Sequence, residues 1–358
     1  MNPWVVAVRA ALPSPRPQGW QALQMACGLA SPGRPVTLIG DAALPDGGPE
    51  TVDAWWGGSL PDTLSVRVPP RWASPPWAGV QFRRSLAAAA SAETTLLCRD
   101  PRVAGAQPQR RWRAVVMEWH VQPNPSDPRH RAALTRPDLH VTVAPGLVAD
   151  LAAAGVARER IRLLPNACGL SRERALLRTP RADGPVLALG LHRRDGLDEV
   201  LDAWRLDPCL PTLLIAGRDQ GGSRVARWRA RLTEQGLAGR VRLIGPRWGV
   251  ARDDLLDTVS AWLAPYPDDA TTRTRLCPLQ VVDALGSGLP LIAPSLGSVQ
   301  AAAAGAPWHE YTPGDPASLA AAVRGAVQSP RVSTPAGRPT WADRAHSLVA
   351  ALAQQAVA

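Results

Sequence analysis

The stretch from Leu263 to Pro294, LAPYPDDATTRTRLCPLQVVDALGSGLPLIAP, decides how the chain is read. It predicts a short apolar strand, a polar loop, a helix entered at Pro278, a glycine break at Gly286 and Gly288, and a second apolar strand. In a parallel α/β sheet this order places the loop and the helix N-terminus at the carboxyl edge of the strands, where ligands bind. Unpaired backbone N–H groups and the positive end of the helix dipole favour an anion there. One turn into the helix, Asp283 offers a carboxylate that can take hydroxyl hydrogen bonds from a ribose.

The same alternation extends on the N-terminal side of this unit. Strands are predicted at Val186–Leu189, Thr212–Ala216 and Val241–Ile244, with helices at Leu197–Trp204, Ser223–Glu234 and Asp253–Thr258. Their carboxyl ends carry Gly190 and the loop GLHRRDG with Arg193 and Arg194, then Gly217-Arg218, then Gly245-Pro246-Arg247. Ser171 to Pro185 is rich in charge, Pro and Gly, lacks apolar periodicity, and reads as a linker. Before it stands a second block. Trp4–Val8 (WVVAV) and Pro35–Ile39 flank a proline-crowded loop closed by Gly19 and a helix over Trp20–Ala30. Gly19 either lets a ligand approach the backbone or simply makes a tight turn. Further strands are expected at Val66–Val68, Thr94–Cys98, Ala114–Met117, Leu139–Val143 and Arg160–Leu164, with helices at Phe82–Ala92 and Val148–Ala154. Ala114–Met117 delivers Glu118, Trp119 and His120 to the carboxyl edge. A His there is either structural or catalytic. Two such blocks imply an α/β chain of two doubly wound domains, residues 1–170 and 186–338, facing each other across a cleft, with 339–358 as a closing helix that packs back on the first domain.

Composition limits the function. At 358 residues and 46% hydrophobic content the chain can build two cores. The net charge is +10 with no lysine, which reflects either an arginine-favouring composition or affinity for phosphates on a nucleotide, a lipid surface or a nucleic acid. Nucleic acid is disfavoured, because no recognition helix, zinc spacing or aromatic-basic motif accompanies the charge. Five scattered cysteines without CxxC spacing fit free thiols in a reducing compartment. No apolar run approaches membrane-span length and the opening Met1-Asn2-Pro3 leads directly into a strand, so a cytoplasmic protein, at most peripheral to a membrane, is expected. Trp55, Trp56, Trp72 and Trp77 are expected either exposed, for sugar or lipid headgroups, or in the core.

GLHRRDG, LLIAG, VRLIG and PLQVVDALGSGLPLIAP together resemble the donor-binding domain of retaining GT-B glycosyltransferases, specifically glycosyltransferase family 4. IRLLPNA, VVMEWH and the closing TWADRAHSLVAAL extend the resemblance over nearly the whole chain. It implies a nucleoside diphosphate sugar as donor, bound without a cofactor or a metal, and a glycan, lipid-linked or small-molecule acceptor. It further implies that Asp283 holds the ribose, where the family usually has Glu. Gly19, Gly190, Gly217, Pro246, Arg247, Leu276, Cys277, Pro278 and Leu279 would lie along the donor. His120 would meet the sugar, and Arg193, Arg194 and Arg218 would neutralise the diphosphate. Two departures stand out: Arg275 replaces a sugar-contacting Glu, and Gln280 replaces a lysine whose charge Arg275 could restore. Asp268 and Asp269 are adjacent and diverge, so they form no Asp-x-Asp metal pair. A catalytically degenerate binding protein and a sugar-nucleotide epimerase on the same fold remain competing expectations.

Overall fold

The computed structural model describes the chain except residues 1, 14–16, 31–32, 42–50, 69–74, 109–110, 180, 191–195, 218–223, 330–336 and 356–358. It divides into two compact units, Met1–Asn166 with Thr274–Leu276 and Pro339–Ala358, and Ala167–Arg273 with Cys277–Arg338.

The first unit is built on seven strands: β1 (Trp4–Ala11), β2 (Val36–Asp41), β3 (Leu64–Arg67), β4 (Thr95–Cys98), β5 (Ala114–Trp119), β6 (Leu139–Thr142) and β7 (Ile161–Leu163). They pair in parallel in the order β3-β2-β1-β4-β5-β6-β7. The direction of the order reverses between β1 and β4, which opens a crevice at their carboxyl ends. In the second unit six strands, β8 (Val186–Leu189), β9 (Leu213–Ala216), β10 (Val241–Ile244), β11 (Ala261–Leu263), β12 (Leu291–Pro294) and β13 (His309–Tyr311), run in parallel in the order β10-β9-β8-β11-β12-β13. Here the reversal falls between β8 and β11, where Leu187 sits opposite Trp262.

Sheets of this kind are covered on both faces, so their strands must be apolar throughout. β4 and β12 are buried at every position, and Val186, Leu187 and Ala188 of β8 are sealed in the same way. Each fully buried Leu or Val contributes about 1.5–3 kcal/mol. Helices supply the covering layer, and the amphipathic Leu197–Leu206 turns Val200, Leu201 and Trp204 inward at helical spacing.

Several local expectations give way to tertiary contacts. Segment 171–185 is no free linker: it contains the helix Arg172–Leu177, capped by Ser171 Oγ, which accepts from Arg174 N. Arg174 and Arg178 both donate to Asp257, and Arg178 also to the Ser287 carbonyl, so charges that look solvated in sequence are spent on distant partners. Gly286 does not break its helix, which runs Leu279–Ser287. A side chain at Gly286 would collide with Cys168 Sγ, so the residue serves close packing instead. Gly288, at φ 78°, is the residue that ends the helix, in the left-handed conformation glycine tolerates best. Trp55 is completely buried, its ring 5.3 Å from that of Trp20, whereas Trp77 is 63% exposed; Trp72 lies outside the described residues.

Candidate functional site

In the first unit the carboxyl edge beside the β1/β4 reversal concentrates charge. Arg99 follows β4, Glu118 lies within β5 rather than beyond its end, and His120 follows that strand. Arg99 donates to the Gln18 carbonyl at 2.8 Å and to Gln21 Oε1 at 2.6 Å, and its Nε and Nη2 lie 3.1 and 2.5 Å from His120 Nε2. Glu118 Oε1 is 2.5 Å from the same His120 nitrogen, while Glu118 Oε2 accepts from Arg344 Nη1 at 2.9 Å. Arg344 belongs to the C-terminal helix Trp341–Gln355 and also donates to the carbonyls of Leu164 and Pro165. Burial alone would raise the Glu118 carboxyl, but Arg344, His120 and Arg99 outweigh it and hold it well below the usual carboxylate range. Burial, followed by the neighbouring Arg99, pushes His120 down to about 4 against the pull of Glu118.

The second unit carries a sparser arrangement. Asp283, on the helix Leu279–Ser287, is 8% exposed, and its Oδ1 accepts from Gly169 N at 2.8 Å. Cys168 packs beside it and hydrogen-bonds to the carboxylate. Burial raises the Asp283 carboxyl to about 6, against the Gly169 N–H and the field of Arg252. The helix opens at Pro278 without a side-chain cap, and the amides of Val281 and Val282 bond back to the Pro278 carbonyl. Gln280 Nε2 donates to the Leu189 carbonyl at 3.1 Å, at the end of β8, and its buried Oε1 has no partner among the described residues.

The structure places the predicted residues unevenly. Gly190, Gly217, Pro246 and Arg247 all follow carboxyl ends of the second sheet, and Arg247 is exposed and donates to the carbonyls of Gly245 and Pro246. Cys277 and Pro278 are buried, with Leu276 and Leu279 half-buried. Gly19 does not close a loop: the first helix starts at Pro17, so Gly19 lies buried in its first turn, next to the Gln18 carbonyl that Arg99 uses. Arg275 does not supply a spare charge. Its guanidinium grips Asp150 through two bonds of 2.6 and 3.0 Å within the first unit, and this pairing consumes it. Asp268 pairs with Arg273, and Asp269 accepts from the Thr271 and Thr272 amides. Arg193, Arg194 and Arg218 lie outside the described residues. Sequence reasoning passed over Arg99, whose position directly after a strand was the available signal, and Arg344, for which no local signal exists.

No protein-family model matches the chain, and no curated protein sequence matches it. Solved structures do. HepE from Anabaena, in complex with UDP and glucose, superposes with a TM-score of 0.68 at 16% identity, over 99% of this chain and 98% of that one. Sucrose-phosphate synthase from Thermosynechococcus elongatus gives 0.65 at 16% identity over 100% and 98%, and the lipopolysaccharide outer core galactosyltransferase WaaB 0.62 at 13% over 99% and 100%. End-to-end coverage at this level, on two parallel sheets each wound about its own reversal point, means that this chain has the GT-B fold of the glycosyltransferases.

Proposed function

We propose that the protein is a glycosyltransferase of the family 4 type that takes a sugar from a nucleoside diphosphate donor and passes it, with retention and without a metal, to a hydroxyl of a glycan, a lipid-linked sugar or a small molecule. The observation that carries this reading is the superposition over the full length of HepE, a protein seen with UDP, with UDP and glucose, and with UDP-glucose. UDP-glucose is therefore the first donor to test. In this reading Asp283 accepts from the ribose hydroxyls, since two carboxylate oxygens have acceptor capacity beyond the Gly169 N–H and the Cys168 thiol. The uncapped N-terminus of Leu279–Ser287 takes up phosphate, with Arg247 and the arginines Arg193, Arg194 and Arg218 supplying counter-charge as the leaving diphosphate gains negative charge. His120 meets the sugar. Arg275 has no part in donor binding, because Asp150 holds it. Trp77, exposed on the same helix as the exposed Arg83 and Arg84, suits an acceptor carried on an anionic lipid surface. Among the described residues no helix is long and apolar enough to cross a membrane.

The test is thermal shift against UDP, GDP, ADP and dTDP and their glucose conjugates, followed by release of free nucleotide from the stabilising sugar conjugate. UDP-glucose is expected to raise Tm, because a ligand that binds only the native state stabilises it by mass action, and to be slowly consumed. A protein stabilised by none of the panel is not a nucleotide-sugar enzyme. One that binds yet never releases nucleotide, with sugar acceptors present, is a binding protein and not a transferase.

A further inference from the structure

Among the described tryptophans of the first unit, Trp4, Trp55, Trp112, Trp119 and Trp341 are at most 4% exposed, whereas Trp20, Trp56 and Trp77 are not buried. Those three come from segments that leave the carboxyl ends of the adjacent strands β1, β2 and β3. Trp20 stands in the first turn of the helix after β1, Trp56 ends the helix Val52–Trp56 after β2, and Trp77 stands in the first turn of the helix after β3. We propose that Trp20 and Trp56 form the platform of an acceptor subsite, on which the apolar face of a pyranose ring stacks while Asp53 accepts from its hydroxyls. The pyranose is an acceptor only if the transferase reading holds; the stacking surface does not depend on it.

The platform is built rather than incidental. A helix as short as Val52–Trp56 does not persist by itself, and here both ends are pinned. Thr51 Oγ1 accepts from Ala54 N at 3.1 Å, and Gly57, at φ 90°, donates to the Asp53 carbonyl at 2.8 Å. Consecutive helical residues point about 100° apart, so when Trp55 turns fully into the core, Trp56 is left half-buried. Trp20, also half-buried, joins the two: its ring lies 5.3 Å from that of Trp55 at 61° and 5.8 Å from that of Trp56 at 40°. Trp55 thus braces Trp20 from the interior, and the two half-buried indoles are held as one tilted surface.

The neighbouring groups select the ligand. A pyranose offers C–H groups that settle on the negative face of an indole, and a rim of hydroxyls that need acceptors. Asp53 supplies those acceptors: it stands three residues before Trp56, hence beside it on the helix surface, is exposed, and its carboxylate has no partner among the described residues. The same negative charge repels the phosphates of a lipid surface, so the pair suits a neutral sugar better than a headgroup. Location fits as well. Gln21, the residue after Trp20, accepts from Arg99 through Oε1, and Gln18, two residues before it, accepts from Arg99 through its carbonyl. The platform therefore begins at the β1/β4 crevice, whose far side presents Arg99 and His120.

The full chain, ¹⁵N-labelled at the tryptophan indoles, tests this by titration with the methyl glycosides of glucose, galactose, mannose and N-acetylglucosamine. The Trp20 and Trp56 Nε1–H signals are assigned with Trp20→Phe and Trp56→Phe. At least one glycoside is expected to shift both signals in the millimolar range while that of Trp228, in the second unit, stays in place. Trp56→Ala is expected to weaken this binding about tenfold, the worth of one stacked ring. Trp56→Phe, which keeps a ring, should recover most of the loss, and Asp53→Asn should weaken binding about threefold. The proposal is overturned if no glycoside moves either indole up to its solubility limit, or if Trp56→Ala binds as the wild type does. It is equally overturned if phosphatidylglycerol vesicles move the two indoles and no glycoside does. Because the wild-type titration needs no variant, a Trp56→Ala chain that fails to fold leaves the test in force. If a glycoside binds at the pair yet UDP-glucose is not turned over in its presence, the subsite stands and the transferase reading falls; UDP-glucose consumed while no glycoside binds gives the reverse.

Discussion

Glu118 in the first unit and Asp283 in the second are both buried carboxylates, and the two are treated in opposite ways. Glu118 is surrounded by Arg344, Arg99 and His120 and is held well below the ordinary carboxylate range. Asp283 is buried to a similar degree but draws on one backbone N–H, one thiol and the field of Arg252, and its carboxyl rises to about 6. A fully compensated carboxylate has no capacity left for a ligand and works by orienting its neighbours. An undercompensated one still has acceptor capacity, at a cost in stability, which is what a group waiting for ligand hydroxyls looks like.

The sharpest way to break this comparison is Glu118→Gln, which leaves two buried guanidiniums short of a counter-charge. It is expected to cost the first unit about 3–5 kcal/mol in urea unfolding. Arg344→Met should cost a comparable amount, and the double variant less than the sum, since removing both partners leaves no orphaned charge between them. A Glu118→Gln cost near zero would mean that the network is not a buried charge system.

Asp283→Asn should act in the other direction. The folded-state value of about 6 lies above the unfolded one near 3.9, so the folded form binds the proton better. The resulting stabilisation is complete below about pH 4, and is lost as pH rises through 6. At pH 7.5 the substitution should therefore raise stability by roughly 2–3 kcal/mol, a gain that disappears in acid, while nucleotide affinity falls. A destabilised Asp283→Asn would show that the carboxylate is structural.

Next in size is the opposed response of the two units to acid. His120 and His140 stand at about 4 and about 3 in the fold, below the unfolded value near 6.5, so the unfolded state takes up protons first. Hydrogen exchange should show the first unit weakening as pH falls from 6.5 towards 4, while the Asp283 contribution strengthens the second. Gly286→Ala should cost about 1–3 kcal/mol through its clash with Cys168, with part of it regained on adding Cys168→Ala, since the Cys168 Cβ remains 2.9 Å away. Trp77→Ser, far from both carboxylates in its chemistry and largely exposed, should stay within about 0.5 kcal/mol.

The apolar runs at WVVAV, TLLC, TLLIA and PLIAP were enough to announce buried parallel strands, and the turn residues between them a doubly wound chain. Asp283 and His120 could be singled out because strand–loop–helix order dictates which residues reach a carboxyl edge. These are local properties: backbone geometry imposes the period, and a window of a dozen residues reveals it. What each charge does was settled only by the folded chain. Arg275, which the resemblance would set beside the donor, is spent on Asp150, and Arg174 and Arg178, which read as a solvated linker, are spent on Asp257. Arg344, in the closing helix that the sequence predicts, turns out to hold Glu118. A guanidinium carries the same signature in sequence whatever carboxylate it meets. Which one it meets depends on contacts between residues as far as 226 positions apart, and periodicity carries no record of those.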